Sequence, residues 1–447
     1  MDKKLLFDYN EKPKKGLWLL LSFQHVFAMF SATVLVPMLT GLPISVALFS
    51  SGVGTLIYIL CTKGKVPIYL GSSFAYISYI IAAAAMTGDF GAALTGIVIV
   101  GIIYCIVALV IKLVGTGWLK KLLPPIVIGP MIMVIGLSLS SVAVAQSGLI
   151  EGGSWYSIVV AVFTMLVVAF LAIRAKGFFQ VIPFLLGIVA GYILSLIVYF
   201  CGGQGLFMNG DVNLLEGFVN VAKDPAQWFS LPKFVFLGFE NRDIGLGLSV
   251  VKFNFAATVS VIPLAFATIS EHLGDHQVLG RITGKDYMVD PGLHRTLLGD
   301  GLATSFAGLI GGPANTSYGE NTSVVGITRV GSVWVTGGAA VIAILLSFFN
   351  LFDTLIGTIP GPVMGGVCLI LYGFIAANGL KTLVDSKVDM TETRNLIIIS
   401  VMLVIGLGGA VIMIGSQGKF STAALSMIVG IILNAILPHS KNGAFDK

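Results

Sequence analysis

Two short stretches, "GSSFAYIS" (residues 71–78) and "NTSYGENTS" (residues 315–323), decide how this chain folds. Both are rich in Ser, Thr, Asn and Gly, yet each interrupts strongly apolar sequence. The surrounding chain explains why that is informative. Its 447 residues are 56% hydrophobic and 11% charged, with a mean hydropathy of +0.97. Soluble domains carry about 25% charged residues, so this is the composition of a membrane protein. Irregular polar backbone is tolerated at membrane depth only where it is buried in protein or lines a watery cavity. Two such breaks therefore announce a cavity.

Outward from the breaks, apolar runs near the roughly 20 residues needed to cross hydrocarbon fall at 16–40, 43–61, 66–86, 91–112, 123–147, 156–173 and 180–200. They resume at 253–272, 294–311, 317–328, 332–350, 355–378, 396–414 and 420–438. That predicts an all-α polytopic protein of about fourteen transmembrane segments. Basic clusters follow the even-numbered runs: Lys63 and Lys65, Lys112, Lys120 and Lys121, Arg174 and Lys176, Arg281 to Arg295, Arg329, then Lys381 to Arg394. Lys3 to Lys15 precede the first run. Positive charge collects on the cytoplasmic side, so both termini are expected there, with 201–250 as an extracellular connecting loop. The five tryptophans sit near predicted run ends, as an interfacial belt requires. The polar N-terminus lacks the apolar core of a cleaved signal.

The breaks occupy the third run of each set of seven. "LPPIVIGPMIMVIGLSL" (residues 123–139) and "IPGPVMGGVCLILYGFI" (residues 359–375) also match in punctuation, with close prolines and a glycine five residues after the first. An odd number of spans per repeat inverts the second half, at 251–440, relative to the first, at 16–200. Inverted repeats with paired interrupted segments mark secondary transporters, with the substrate site at the interruption.

Few acids lie within the runs, and intramembrane ionisable groups are functional hypotheses by default. Glu320 lies inside the second break, and Glu271 opens "EHLGDH" (residues 271–276). Two carboxylates suit a neutral ligand with several N–H donors, and the amides of Phe74, Ala75 and Gly319 can donate to its carbonyls. Phe74, Tyr76, Tyr318 and Tyr372 can cover a flat ring. Gln24 and His25 are expected to brace runs one, three and eight. Ser72, Ser73, Asn315, Thr316 and Asn321 are expected to satisfy the backbone where the breaks meet.

His272, Asp275 and His276 also spell H-x-x-D-H, close to the H-x-x-E-H of inverted zinc peptidases. Against a metal site stand the missing third ligand and Gly274 and Gly280, which predict that the helix ends there. The bland reading makes both histidines solvated groups at a cytoplasmic helix end. No bound metal, cofactor or catalytic residue is expected. The four cysteines (Cys61, Cys105, Cys201 and Cys368) have no framework or ligand spacing. No phosphate-cradling glycine loop is present, which argues against ATP-driven transport and leaves an ion gradient. Nothing points to nucleic acid.

With these motifs in view, the chain resembles the nucleobase–ascorbate transporter family, and within it the bacterial uracil permease branch. The resemblance spans the chain and rests on "QH" at Gln24–His25, "GSSFA" at 71–75, "SEHLG" at 270–274, "DPGLHR" at 290–295 and "NTSYGENTSVVGITR" at 315–329. It implies a core domain at about 16–114 and 251–350, a gate domain at about 120–200 and 355–440, and short strands in broken segments 3 and 10. It also implies proton-coupled symport of uracil across the cell membrane, homodimers, and no enzymatic activity. Glu271 and Glu320 match ring-binding glutamates, Phe74 and Gly319 match backbone donors, and Tyr318 and Tyr372 look like flanking tyrosines. Asn321 and Thr328 fall within the family signature and are expected to support the site. The sequence departs twice: Ser323 replaces a spaced glycine, and Asp275 stands where the branch can carry a histidine. Proton coupling then falls to Asp275, His276 or Glu271. The alternatives are a purine (xanthine or uric acid) permease of the same family, or an anion exchanger on a similar scaffold.

Overall fold

The computed structural model describes residues 5–438, apart from 181, 211, 236–254, 411, 415–417 and 420–421. Much of the predicted extracellular loop therefore lies outside the described residues.

The chain is mostly helical. The first half contains α1 (Lys15–Thr40), α2 (Ile44–Cys61), strand β1 (Leu70–Ser72), a 3-10 turn (Phe74–Tyr76) leading into α3 (Ile77–Thr87), and α4 (Gly91–Val114). It continues with α5 (Pro125–Ser138), α6 (Trp155–Arg174) and α7 (Pro183–Phe200). The second half runs through α8 (Phe255–Thr283), α9 (Leu293–Leu309), strand β2 (Asn315–Ser317), α10 (Gly319–Thr328) and α11 (Val333–Ser347). It ends with α12 (Gly361–Asp385), α13 (Thr393–Leu407) and α14 (Thr422–Ile436). Among the described residues seven helices are long and apolar enough to cross a membrane: α1, α2, α4, α5 with its continuation to Gln146, α6, α7 and α12. The 3-10 turn with α3, and α11, α13 and α14, are shorter apolar helices. This is a multi-pass membrane protein.

The two polar breaks meet. β1 and β2 pair antiparallel, with Leu70 opposite Ser317, Gly71 opposite Thr316 and Ser72 opposite Asn315. All six residues are buried, so the ladder answers the backbone groups that lipid could not. The helices pack in two groups. In one, α4 lies along α9, α2 along α9 and α11, and α1 along α11. In the other, α12 lies against α5 and α6, α13 against α5 and α14, and α6 against α7. The groups touch where α1 meets α7 and α8 meets α14. Small residues permit these approaches: a Cβ on Gly101 of α4 would collide with the Gly301 carbonyl of α9.

Two expectations need correction. α8 does not end at Gly274 or Gly280 but continues to Thr283. An interior glycine costs only about 1 kcal/mol, and the buried side chains of His272, His276 and Leu279 outweigh that. The run predicted at 355–378 is two elements, a short helix Asn350–Gly357 and then α12, because Pro360 and Pro362 favour the start of a helix over its interior. Within the connecting loop, helix Leu214–Lys223 is capped by Asn213, whose side chain accepts the Leu215 N–H.

Candidate functional site

Beyond each strand the chain turns directly into a helical start. The Ser73 N–H donates to the Ala314 carbonyl at 2.8 Å, and the Tyr318 N–H to the Tyr69 carbonyl at 3.1 Å. These bonds fix the angle at which the two helical starts leave the ladder. First-turn amides have no intrahelical partner. Those of Phe74 and Ala75 on one side, and of Gly319 on the other, are therefore free to donate to a ligand, whereas the Glu320 N–H is engaged by its own carboxylate.

α8 adds the second carboxylate. Glu271, Gly274, Gly319 and Ser323 are exposed although set among buried neighbours, and Asp275 and Glu320 are partly exposed. Glu271 sits between the buried Ser270 and His272, so the face it shares with Gly274 and Asp275 lines a crevice. α8 packs against β2 and against α10, which carries Glu320. Asp275, one turn along α8, accepts the Ser317 hydroxyl at 3.0 Å and lies beside Gly319, where a Cβ would be 3.5 Å from its Oδ1. An adjoining apolar pocket is lined by Ala32, Leu35, Phe74, Phe184, Glu320 and Leu371. It therefore lies where α1 meets α7 and α12. A roomier cavity of about 410 Å³ lies at the Gly41 end of α1, bordered by Asn213, Lys233 and Asp353. It holds an ion pair at 3.9 Å and none of the converging donors and carboxylates.

The other predicted site residues are behind this crevice. The Tyr318 hydroxyl donates to the Ser72 carbonyl at 2.8 Å and accepts from Thr33 at 3.2 Å. Its ring packs on Gly71, so Tyr318 holds the ladder. Tyr372 is buried at 2% exposure in the apolar cluster that includes Leu35, Val367 and Leu371, with Phe74 packed against it. Asn321 donates to both the His25 carbonyl and His25 Nδ1 at 3.0 Å. The expected brace from α1 thus reaches α10 rather than α3 or α8. Gln24 turns its carboxamide oxygen inward with no partner among the described residues. The Thr328 hydroxyl donates to the Val324 carbonyl of its own helix at 2.7 Å and is remote from the crevice.

The two histidines are not solvated, which corrects the bland reading. His272 and His276 are 1% and 2% exposed. His272 Nδ1 bonds to Asp300 Oδ2 at 2.7 Å and Nε2 to Thr296 at 3.0 Å. His276 Nδ1 donates to the His272 carbonyl at 2.7 Å, so a neutral ring accepts the Tyr58 hydroxyl at Nε2, 2.5 Å away. Protein atoms engage all four ring nitrogens. Thr296 and Tyr58, with the pairing of Asp300 to His272, form the layer that sequence reasoning missed. Asp300 was visible as an acid in an apolar run, but its partner lies 28 residues away.

The chain can now be set beside known proteins. A family model described as the Permease family matches residues 16–415. The chain belongs to this family, the nucleobase–ascorbate transporters. The uracil permease of Bacillus caldolyticus is 46% identical, with 99% of this chain and 97% of the relative covered. That of Bacillus subtilis is 44% identical over 99% and 98%, and that of Escherichia coli K12 is 40% identical over 96% and 92%. Among solved structures, the transmembrane domain of the cyanobacterium bicarbonate transporter BicA aligns with a TM-score of 0.62 at 15% identity, covering 95% of this chain and 99% of that one. The murine Solute Carrier 26 family member A9 anion transporter, in its inward-facing state, gives 0.61 at 12% identity, over 96% and 69%. At such identities these two show the fold alone.

Proposed function

We propose that the chain is a proton-coupled uracil importer of the cell membrane, with both termini cytoplasmic. The observation that carries this is the placing of two carboxylates, Glu271 and Glu320, with the helix-start amides of Phe74, Ala75 and Gly319 around one crevice. A uracil ring has two N–H donors and two carbonyl acceptors. Glu271 and Glu320 accept the N–H groups, the amides of Phe74 and Gly319, with Ala75 adjacent, meet the carbonyls, and the Phe74 ring covers one face. The full-length uracil permease relatives support the same substrate.

The fold reading that goes with this is fourteen spans as two inverted sets of seven, α1 to α7 and α8 to α14. Matched packing supports it: α4 with α9 mirrors α11 with α2, α6 with α7 mirrors α13 with α14, and α1 with α7 mirrors α8 with α14. The group built on α1–α4 and α8–α11 is the core that carries the site. The group built on α5–α7 and α12–α14 is the gate against which it moves, and the chain works as a homodimer. Protonation of Asp275, with Glu271 and His276 beside it, couples that movement to the proton gradient.

Calorimetric titration of purified protein with uracil, xanthine, adenine and bicarbonate, at acid and alkaline pH, tests the reading. Uracil-selective binding is expected. Binding of a purine alone would replace the substrate, and binding of bicarbonate with no base would favour anion exchange. For coupling, Asp275→Asn is expected to keep uracil binding and lose accumulation driven by a pH gradient. Unchanged pH-driven accumulation would remove Asp275 from the mechanism.

A further inference from the structure

The N-terminal segment is polar and charged, and nothing in the transport reading uses it. Residues 5–11 nevertheless lie across the ends of the two helices that carry the carboxylates. The Leu6 N–H donates to the Arg329 carbonyl at 2.8 Å, the Gly331 N–H to the Phe7 carbonyl at 2.9 Å, and the Val333 N–H to the Tyr9 carbonyl at 3.0 Å. The Ser332 hydroxyl donates to the Glu11 carbonyl at 2.5 Å. Phe7 and Val330 form a parallel bridge. This fastens the strap to the chain leaving α10.

The same strap reaches α8. Lys285, two residues past α8, donates to the Asp8 carboxylate and lies 4.0 Å from the centre of the Tyr9 ring. Burial raises the Asp8 carboxyl, but the Lys285 ammonium and the Tyr9 N–H outweigh this and hold it below the usual carboxylate range. The pair is therefore ionic near neutral pH. A Cβ added at Gly331 would touch Leu5, Phe7 and Thr283 at once, so strap, α8 end and α10 end meet at one point.

We propose that Asp8 is a positioning residue: by tying the strap to Lys285, it makes the Thr283 end of α8 and the Arg329 end of α10 one rigid body. That fixes the spacing of Glu271 and Glu320, which ride on those two helices. The link needs a rigid lever on each side, and both are continuous helix between carboxylate and strap. The consequence for uracil rests on the transport reading, whereas the mechanical tie does not.

Hydrogen exchange and transport kinetics on the full chain test it. In Asp8→Asn, amide exchange is expected to rise about two- to five-fold at both 283–288 and 326–333, the scale of losing one partly exposed ion pair. The half-saturation constant for uracil uptake should rise by a similar factor, with maximal rate per folded molecule unchanged. The charge swap Asp8→Lys with Lys285→Asp should restore both. Faster exchange confined to residues 5–11, or a swap that restores nothing, would overturn the proposal. So would an unchanged half-saturation constant in a transporter that does take up uracil. If no form takes up uracil, the transport reading falls, and the exchange pattern alone still decides whether Asp8 ties the two helices.

Discussion

Set residue against residue, the two broken segments share a scaffold and divide the chemistry. Ser72 ends β1 and Ser317 ends β2. The Ser72 hydroxyl donates to the Thr33 carbonyl of α1 at 3.2 Å, and the Ser317 hydroxyl donates to the Asp275 carboxylate of α8 at 3.0 Å. Each strand end is thus tied to the first helix of its own half. Four residues on, the ties cross over. Tyr76 shares a hydrogen bond of 2.7 Å with Thr268 of α8, and Asn321 bonds to His25 of α1. Between these anchors Phe74 corresponds to Gly319 and Ala75 to Glu320. The backbone repeats, but the charge appears only in the second half.

That contrast is broken most severely at its one acidic position. Glu320→Ala makes the second segment resemble the first at Ala75 and removes a charged acceptor. Hydrogen bonds to charged groups are worth about 1.5–3 kcal/mol, or roughly 10- to 150-fold in affinity. Uracil titration should show that loss with the melting temperature held, and retained tight binding would mean that the ring is held elsewhere. The next effect is on folding. A Cβ at Gly71 would stand 2.5 Å from the Tyr318 ring and 2.7 Å from the Thr33 hydroxyl, whereas at Gly319 it would meet only Asp275 at 3.5 Å. Overpacking costs about 1–3 kcal/mol. Gly71→Ala should therefore lower the melting temperature while Gly319→Ala leaves it near the parent value. Equal effects would mean that the ladder is not the rigid element.

Legibility followed the range of the interactions. Ser, Thr, Asn and Gly in apolar sequence exposed the breaks, because their cost in lipid needs no partner to be recognised. The pairing of Gly71 with Thr316 spans the whole molecule, and only the repeat hinted at it. The end of α8 was misread because glycine is a local signal, and burial of His272, His276 and Leu279 is a tertiary one. For the same reason the two histidines looked solvated, when Asp300, Thr296 and Tyr58 hold their ring nitrogens. The crossing of His25 to Asn321 and of Asp8 to Lys285 left no trace in spacing, since both join distant segments.

The smallest effect comes from the matched serines, and it separates support from chemistry most cleanly. Ser72→Ala removes one neutral hydrogen bond to a backbone carbonyl, worth about 0.5–1.5 kcal/mol. Ser317→Ala removes a donor of the same kind from a carboxylate in the crevice. Both variants should melt slightly below the parent, Ser317→Ala the lower of the two because its hydroxyl serves a carboxylate. They should differ in the pH profile of uptake, which Ser72→Ala keeps and Ser317→Ala changes, because only Asp275 can exchange a proton at that anchor. If both profiles match the parent, Ser317 supports the ladder as Ser72 does, and the functional asymmetry of the two breaks narrows to Glu320 against Ala75.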